Sequence, residues 1–243
     1  MKRRFLLLTL LFSSTLFSQS YVRHIIPQYD TFARPHIKVI NVERTNSAIQ
    51  FTFHSTQFSI TQSGDLVQPL ITVTKNGKIA DKELINASPF FPDAECTIVS
   101  FDADQNGVTD CFIVFPYGLT GSNVNVDIVA SFFFFPDSSF KFVNLRSYYG
   151  DTDLFRDFNH DGRFEYACVN ELWSNSTEYD AVNLFSIKDG VFSNCTNSTP
   201  GFPVFAERTE SGPVVLKQLP ASIAAEWYLK KPDVLLNSTE ALN

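Results

Sequence analysis

The chain has 243 residues, of which 44% are hydrophobic and 19% charged, so it can form one large globular domain or two small ones. Its 25 Phe and only 10 Gly exclude a collagenous or low-complexity chain. The formal net charge is −7, the wrong sign for a non-specific nucleic-acid binder, which needs clustered Lys and Arg to displace counterions from phosphates.

The first twenty residues have the layout of a secretory signal peptide. Basic residues at 2–4 precede an apolar run over 5–12, and Ser18-Gln19-Ser20 offers a small-x-small cleavage site. A membrane anchor is the alternative, but the run is shorter than the ~20 apolar residues that a spanning helix needs. We therefore predict cleavage after Ser20 and an extracytoplasmic protein, secreted or periplasmic, with no membrane span. Residues 21–243 are predicted to form a single all-β domain.

Most of the chain after residue 20 has the patterns of β-strands. Alternating residues rich in β-branched and aromatic side chains occupy 37–42 and 49–53. Asn76-Gly77 and Asp189-Gly190 each separate two such runs, which predicts tight hairpins.

Three later runs are nearly all apolar, which is typical of strands buried on both faces. They are 112–115, 128–135 and 140–143. Only 221–231 has a helical pattern, and Pro232 would end that helix. The sequence thus predicts an all-β fold with one short C-terminal helix.

Four cysteines suit an oxidising compartment, because they form an even set without a close C-x-x-C pair. We predict disulfides Cys96–Cys111 and Cys168–Cys195, since each pair flanks neighbouring strands. The alternative is four buried thiols that act as small hydrophobic side chains.

Two segments, residues 101–110 and 156–165, share the acidic pattern D-x-[DN]-x-[DN]-G-x-x-[DE], and an apolar strand follows each. We call them loop 1 and loop 2, and we count positions from Asp102 and Asp157. Oxygen-bearing side chains at positions 1, 3 and 5 converge when the chain curls, and glycine at position 6 permits the sharp turn.

Each loop brings three carboxylates into a small volume, where a hard cation would offset their repulsion. Calcium suits a flexible all-oxygen shell better than magnesium does. The predicted ligands of loop 1 are Asp102, Asp104, Asn106, the Val108 carbonyl and Asp110. Those of loop 2 are Asp157, Asn159, Asp161, the Arg163 carbonyl and Glu165. The alternative is two polar hairpin turns that hold no metal.

These loops are not EF-hands, because Ile113 and Cys168 stand where an EF-hand has its bidentate Glu. They resemble the calcium loops of FG-GAP/VCBS-type repeats, which form the blades of integrin-α-like β-propellers. The resemblance implies that the acidic residue at position 9 completes each site. The 55-residue offset between the loops implies about four repeat units in a propeller-like assembly of short antiparallel sheets. A β-sandwich with two calcium hairpins is the alternative.

Two classes of function follow. The first is a non-enzymatic binding module whose calcium loops stiffen a surface for a protein or glycan; the resemblance implies, as one version, an inhibitor of a cell-wall hydrolase. The second is a small secreted hydrolase in which Asp151, Asp153 and Glu171 would supply a carboxylate pair. The chain has no G-x-S-x-G, H-E-x-x-H or phosphate-binding glycine loop, so we predict no catalytic residue.

Overall fold

The computed structural model describes residues 22–45, 48–63, 70–84, 97–118, 125–137, 139–147 and 151–224. Within these ranges the chain is mainly antiparallel β-structure, which confirms the predicted fold class at this level. Short helices occupy 22–25 and 221–224, and none of the described helices is long and apolar enough to cross a membrane. The predicted signal peptide, Cys96 and residues 225–231 of the predicted helix lie outside the described residues.

The described residues divide into two compact units, and each contains one acidic loop. The loop-1 unit lies within 35–152 and also includes 187–192, whereas the loop-2 unit lies within 22–34, 153–186 and 193–224. The single domain over 21–243 stays a prediction.

The loop-1 unit contains two five-stranded antiparallel sheets. Its strands are β1 (Lys38–Val39), β2 (Glu43–Thr45), β3 (Ala48–Phe53), β4 (Thr56–Ser63), β5 (Leu70–Lys75), β6 (Lys78–Leu84), β7 (Thr97–Phe101), β8 (Asp110–Gly118), β9 (Asn125–Phe134) and β10 (Phe140–Ser147). One sheet has the order β2-β3-β4-β5-β6 and the other β1-β7-β8-β9-β10. The second sheet therefore contains loop 1, which connects β7 to β8.

A phenylalanine-rich core joins these two sheets and explains part of the unusual Phe content. Ile49, Phe51, Phe58 and Ile60 of one sheet form a buried cluster with Ile98, Cys111, Ile113, Phe132 and Phe134 of the other. The Phe58 ring meets the rings of Phe132 and Phe134 edge-on, with centroids 5.8 and 5.7 Å apart. Each such pair contributes about 0.5–1.5 kcal/mol beyond the burial of its apolar area.

The loop-2 unit is built on one antiparallel sheet. Its strands are β11 (Phe155–Arg156), β12 (Glu165–Ser174), β13 (Thr177–Lys188), β14 (Val191–Asn194), β15 (Val204–Thr209) and β16 (Gly212–Leu216). Their order is β11-β12-β13-β15-β16, and β14 also pairs with β13. The end of β13, the start of β14 and the turn between them belong to the loop-1 unit. Leu219 and Ile223, at the helix 221–224, pack on the sheet residues Leu172, Tyr179 and Ala181.

Both predicted hairpin turns are confirmed. Asn76 and Gly77 connect β5 to β6, and Asp189 and Gly190 connect β13 to β14. All four residues have positive φ, between 49° and 75°, as a two-residue turn between twisted strands requires.

The structure contradicts the predicted disulfides, because Cys111, Cys168 and Cys195 are thiols. Cys111 packs as a small hydrophobic side chain among the phenylalanines of the core. Cys168 of β12 lies opposite Asn183 of β13 in the sheet. Cys195 lies beside the next residue of β13, since its N–H donates to the Leu184 carbonyl. Burial raises the pKa of both the Cys111 and the Cys195 thiol, so these two groups stay protonated.

Candidate metal sites

The two acidic loops connect their strands in the same register. Loop 1 leaves β7 at Phe101, which pairs with Asp110 of β8, and loop 2 leaves β11 at Arg156, which pairs with Glu165 of β12. Position 9 is therefore the first residue of the second strand in both loops. Its carboxylate is fixed by the sheet and not by the loop alone.

The backbone of the two loops also has the same conformation. Position 4 is left-handed in both, with φ 58° at Gln105 and 61° at His160. Position 6 is glycine with φ 85° in both, at Gly107 and Gly162. Nothing lies within 4 Å of a Cβ built on either glycine, so the conformation, and not crowding, favours glycine there.

Four hydrogen bonds recur at equivalent positions. The position 6 N–H donates to the position 1 carboxylate, at 3.0 Å both from Gly107 to Asp102 and from Gly162 to Asp157. The position 2 N–H donates to the position 9 carboxylate, at 2.9 Å in loop 1 and 2.8 Å in loop 2.

The other two matched bonds lie at the centre of each loop. The position 5 N–H donates to the side-chain oxygen of position 3, at 3.2 Å in loop 1 and 2.9 Å in loop 2. The position 7 N–H donates to the side-chain oxygen of position 5, at 2.7 and 2.8 Å. The backbone N–H groups thus hold the oxygens of positions 1, 3, 5 and 9 around the turn.

The carboxylates at position 9 are almost fully buried, with 0% of Asp110 and 1% of Glu165 exposed. This burial is the main cause that raises the pKa of each group to about 7. Backbone hydrogen bonds act in the opposite direction, and neighbouring acidic residues of the same loop raise the pKa further. A cation within the loop would favour the ionised form of both groups.

Loop 1 brings three carboxylates together. Asp102, Asp104 and Asp110 each offer one oxygen, and these oxygens lie within 4.8 Å of one another. Asp102 Oδ1 is buried without a hydrogen-bond partner among the described residues. The equivalent triplet of loop 2 has an amide at its centre, since Asn159 stands at position 3 and donates to Glu165 Oε1 at 2.9 Å.

Neighbouring strands support loop 1 from outside. The Phe134 N–H donates to Asp110 Oδ1 at 3.0 Å, and Asn106 Nδ2 donates to the Phe134 carbonyl at 2.9 Å. The Gly190 N–H donates to Asp104 Oδ2 at 3.2 Å. Three of the predicted ligands of loop 1 are therefore held by residues distant in sequence.

The N-terminal segment 22–34 supports loop 2. The Asp157 N–H donates to the Ala33 carbonyl at 3.0 Å. The Phe158 ring, at position 2, lies 5.0 Å from that of Phe32, on which the His160 imidazole also stacks at 5.4 Å. Loop 2 is thus anchored by a segment that its own sequence pattern does not reveal.

All ten predicted ligand positions lie within the described residues. In loop 1, Asp102, Asp104, Asn106 and Val108 are partly buried around Asp110. In loop 2, Asp157 and Glu165 are buried, whereas Asn159, Asp161 and Arg163 are exposed. Sequence reasoning missed the supporting residues Ala33, Phe134 and Gly190, because only the fold brings them to the loops.

Two of the three carboxylates considered for a hydrolase are engaged in separate ion pairs, and the third, Asp151, accepts a hydrogen bond from the Thr152 hydroxyl at 3.4 Å. Asp153 pairs with the arginines Arg23, Arg34 and Arg156. Glu171 pairs with Arg208 at 2.7 Å. A carboxylate that is engaged by arginine in an ion pair is less available for proton transfer, which favours a structural role for Asp153 and Glu171.

Comparisons with protein-family models, with curated proteins and with solved structures found no significant match. The geometry of the two loops and their surroundings therefore provide the basis for a function.

Proposed function

We propose that this chain is a calcium-binding, non-enzymatic β protein of the extracytoplasmic space, whose two loops stiffen sheets that present a surface to a protein or glycan. The observation that carries the proposal is the recurrence of one loop conformation, with four matched hydrogen bonds, in front of a buried position 9 carboxylate. A polar turn without a ligand has no need of a buried anion, which is costly unless it is compensated.

The donor set of loop 1 fits a hard cation. It consists of carboxylate and amide oxygens, with no His and no thiolate, which favours Ca²⁺ or Mg²⁺ over zinc. Asp102 Oδ1, which is buried and has no hydrogen-bond partner in the described part of the chain, is an acceptor that a cation would satisfy. Ca²⁺ is the better candidate, since it accepts irregular shells of six to eight oxygens. When bound, it would neutralise the carboxylates and cross-link position 1 to position 9.

A repeated structural unit is part of the proposal. Loop 1 connects the first two strands of the series β7-β8-β9-β10, and loop 2 connects the first two strands of β11-β12-β13-β15. Four antiparallel strands in a row are the usual content of a propeller blade. We propose that these two series, and the sheet β2-β3-β4-β5-β6, are related units of a propeller-like protein.

A groove beside loop 1 supports the binding role. It has a volume of about 710 Å³ and is lined mainly by the segment 38–43 and by β3, together with His54 and Thr109. Because a carbonyl oxygen can only accept, His54 Nε2 donates to the Thr109 carbonyl, at 2.8 Å. Thr109 is position 8 of loop 1, so calcium in the loop would fix one wall of the groove.

Calorimetric titration of the chelator-stripped protein with CaCl₂ tests the proposal. We expect about two sites per chain, with Kd on the order of 10⁻⁴ to 10⁻³ M as in extracellular modules. The melting temperature should rise with calcium, because a ligand of the folded state alone stabilises that state. Absence of both heat and a melting shift would refute the proposal.

The proposed extracytoplasmic location is tested by N-terminal sequencing of the exported protein, which should begin at Tyr21.

A further inference from the structure

We propose that the Asp189-Gly190 turn, which joins β13 to β14, is a positioning element of the loop 1 calcium site. Gly190 would orient the Asp104 carboxylate, and Asp189 would add negative charge beside it. This inference rests on the proposed function, because it assigns residues to the same site.

The first observation is a hydrogen bond between residues 86 positions apart. The Gly190 N–H donates to Asp104 Oδ2 at 3.2 Å. The Asn106 N–H and Nδ2 also donate to this carboxylate, one to each oxygen. The turn and the loop together therefore fix the rotation of the position 3 ligand.

The second observation is the close packing of the turn. Gly190 is buried, has φ 66°, and a Cβ at this residue would lie 3.0 Å from both Phe133 Cβ and Phe135 Cζ. Gly77 occupies the same place in the β5–β6 turn with φ 75°, but nothing lies within 4 Å of a Cβ built there. Glycine at 77 is thus required only by the turn, whereas glycine at 190 also permits the close packing of the turn on Phe133 and Phe135.

The third observation is the charge of Asp189. This residue is exposed and directly precedes Gly190, whose N–H donates to the Asp104 carboxylate. The turn therefore places Asp189 next to the acidic groups of loop 1. A cation bound in the loop would be attracted by this fourth carboxylate directly or through water.

Calcium affinity of single variants tests the proposal. All variants are made in the full chain with Asp157→Asn, which disables loop 2 and leaves loop 1 as the single proposed site. Asp189→Asn removes only the charge, because asparagine tolerates the left-handed backbone at this position, where φ is 50°. Gly190→Ala adds a methyl group that prevents the close packing of the turn on Phe133 and Phe135. The matched controls are Glu210→Gln, which removes one exposed charge at another hairpin turn, and Gly77→Ala.

We expect Asp189→Asn to raise the calcium Kd about two- to fivefold at low salt. Gly190→Ala should raise it about tenfold or more, as loss of a group that orients a ligand does. Both controls should keep the Kd of the Asp157→Asn protein. If Gly190→Ala does not fold, Asp189→Asn alone decides.

Two contrary outcomes have different meanings. Equal Kd values in both test variants and both controls would overturn the role of the turn and leave the calcium proposal intact. Absence of calcium binding by the unmodified chain would overturn the proposed function, and the role of the turn with it.

Discussion

At the scale of single residues, the buried acids at position 9 link stability to pH. The pKa of Asp110 and Glu165 is about 7 in the folded protein without metal, whereas unfolded Asp and Glu titrate near 4. Between these values the folded state holds more protons than the unfolded state, so its stability falls as the pH rises from about 4 to about 7.

We therefore predict that the chelated protein loses stability over this pH range, because ionisation leaves two buried and uncompensated charges. The double variant Asp110→Asn/Glu165→Gln should lose less stability over this range, since it has no carboxyl group to ionise at these positions. Urea unfolding at pH 5 and pH 7.5 in EDTA measures the free energy of unfolding of both proteins. Saturating calcium should reduce the loss in wild type. An equal loss of stability in wild type and the double variant would contradict the prediction.

A second prediction at this scale concerns Arg156, which precedes loop 2 and is fully buried. Its guanidinium donates to the Phe32 carbonyl, to the carbonyl and carboxylate of Asp153, and lies 4.3 Å from the centre of the Tyr29 ring. Arg156→Ala should lower the free energy of unfolding by about 3 kcal/mol or more, since it breaks a buried charge pair and its hydrogen bonds.

Arg34→Ala is the matched control, because the Arg34 side chain is 52% exposed and also pairs with Asp153. Surface pairs contribute about 0–1 kcal/mol, so this variant should stay close to wild type. Urea denaturation measures both. An equal loss of unfolding free energy in the two variants would contradict the prediction that burial makes the contacts of Arg156 more stabilising than those of Arg34.

At the scale of elements, each loop depends on glycine at position 6. Gly162→Ala should destabilise the folded protein by about 1–2 kcal/mol, because alanine is strained at φ 85°. It should also weaken the calcium response of loop 2, since the Gly162 N–H holds the Asp157 carboxylate. Thermal melting with and without calcium measures both effects.

Gly201→Ala provides the control for backbone strain alone. Gly201 has φ 86°, is exposed, and has nothing within 4 Å of a built Cβ. The stability loss in chelator should match that of Gly162→Ala, while the calcium-dependent rise in melting temperature should stay as in wild type. A reduced rise in both variants would indicate that strain, and not the loop, affects the calcium response.

The sequence predicted the elements whose cause is local. Asn76-Gly77 and Asp189-Gly190 became the expected turns, because positive φ is a property of those residues in a two-residue hairpin. The conformation of each loop has a local cause too, since its four matched hydrogen bonds join side-chain oxygens to N–H groups at most seven residues away. Prediction was wrong for the disulfides, because strand order along the chain does not fix which side chains face each other.

The supports of the loops could not be predicted from the sequence either. The contact of Gly190 with Asp104 joins residues 86 positions apart, and Ala33 reaches Asp157 from the N-terminal segment. Neither Gly190 nor Ala33 carries a side chain that indicates such a contact. Their roles arise from backbone N–H and carbonyl groups, which every sequence has.

At the scale of the whole molecule, we predict that calcium acts as a ligand of the folded state at two places. With free calcium at about thirty times Kd, each site should add about 2 kcal/mol to the stability of the structure that contains it. Asp102→Asn should remove the contribution of loop 1 and Asp157→Asn that of loop 2. Asp137→Asn, in the exposed turn after β9, should remove neither. Melting curves in calcium and in EDTA compare the three variants.

Equilibrium dialysis of the full chain and its variants counts the bound calcium ions, and so tests whether both loops bind calcium. We expect about two ions per chain in wild type, one in Asp102→Asn, one in Asp157→Asn and none in the double variant. Retention of no calcium by wild type, or of two ions by the double variant, would contradict this expectation.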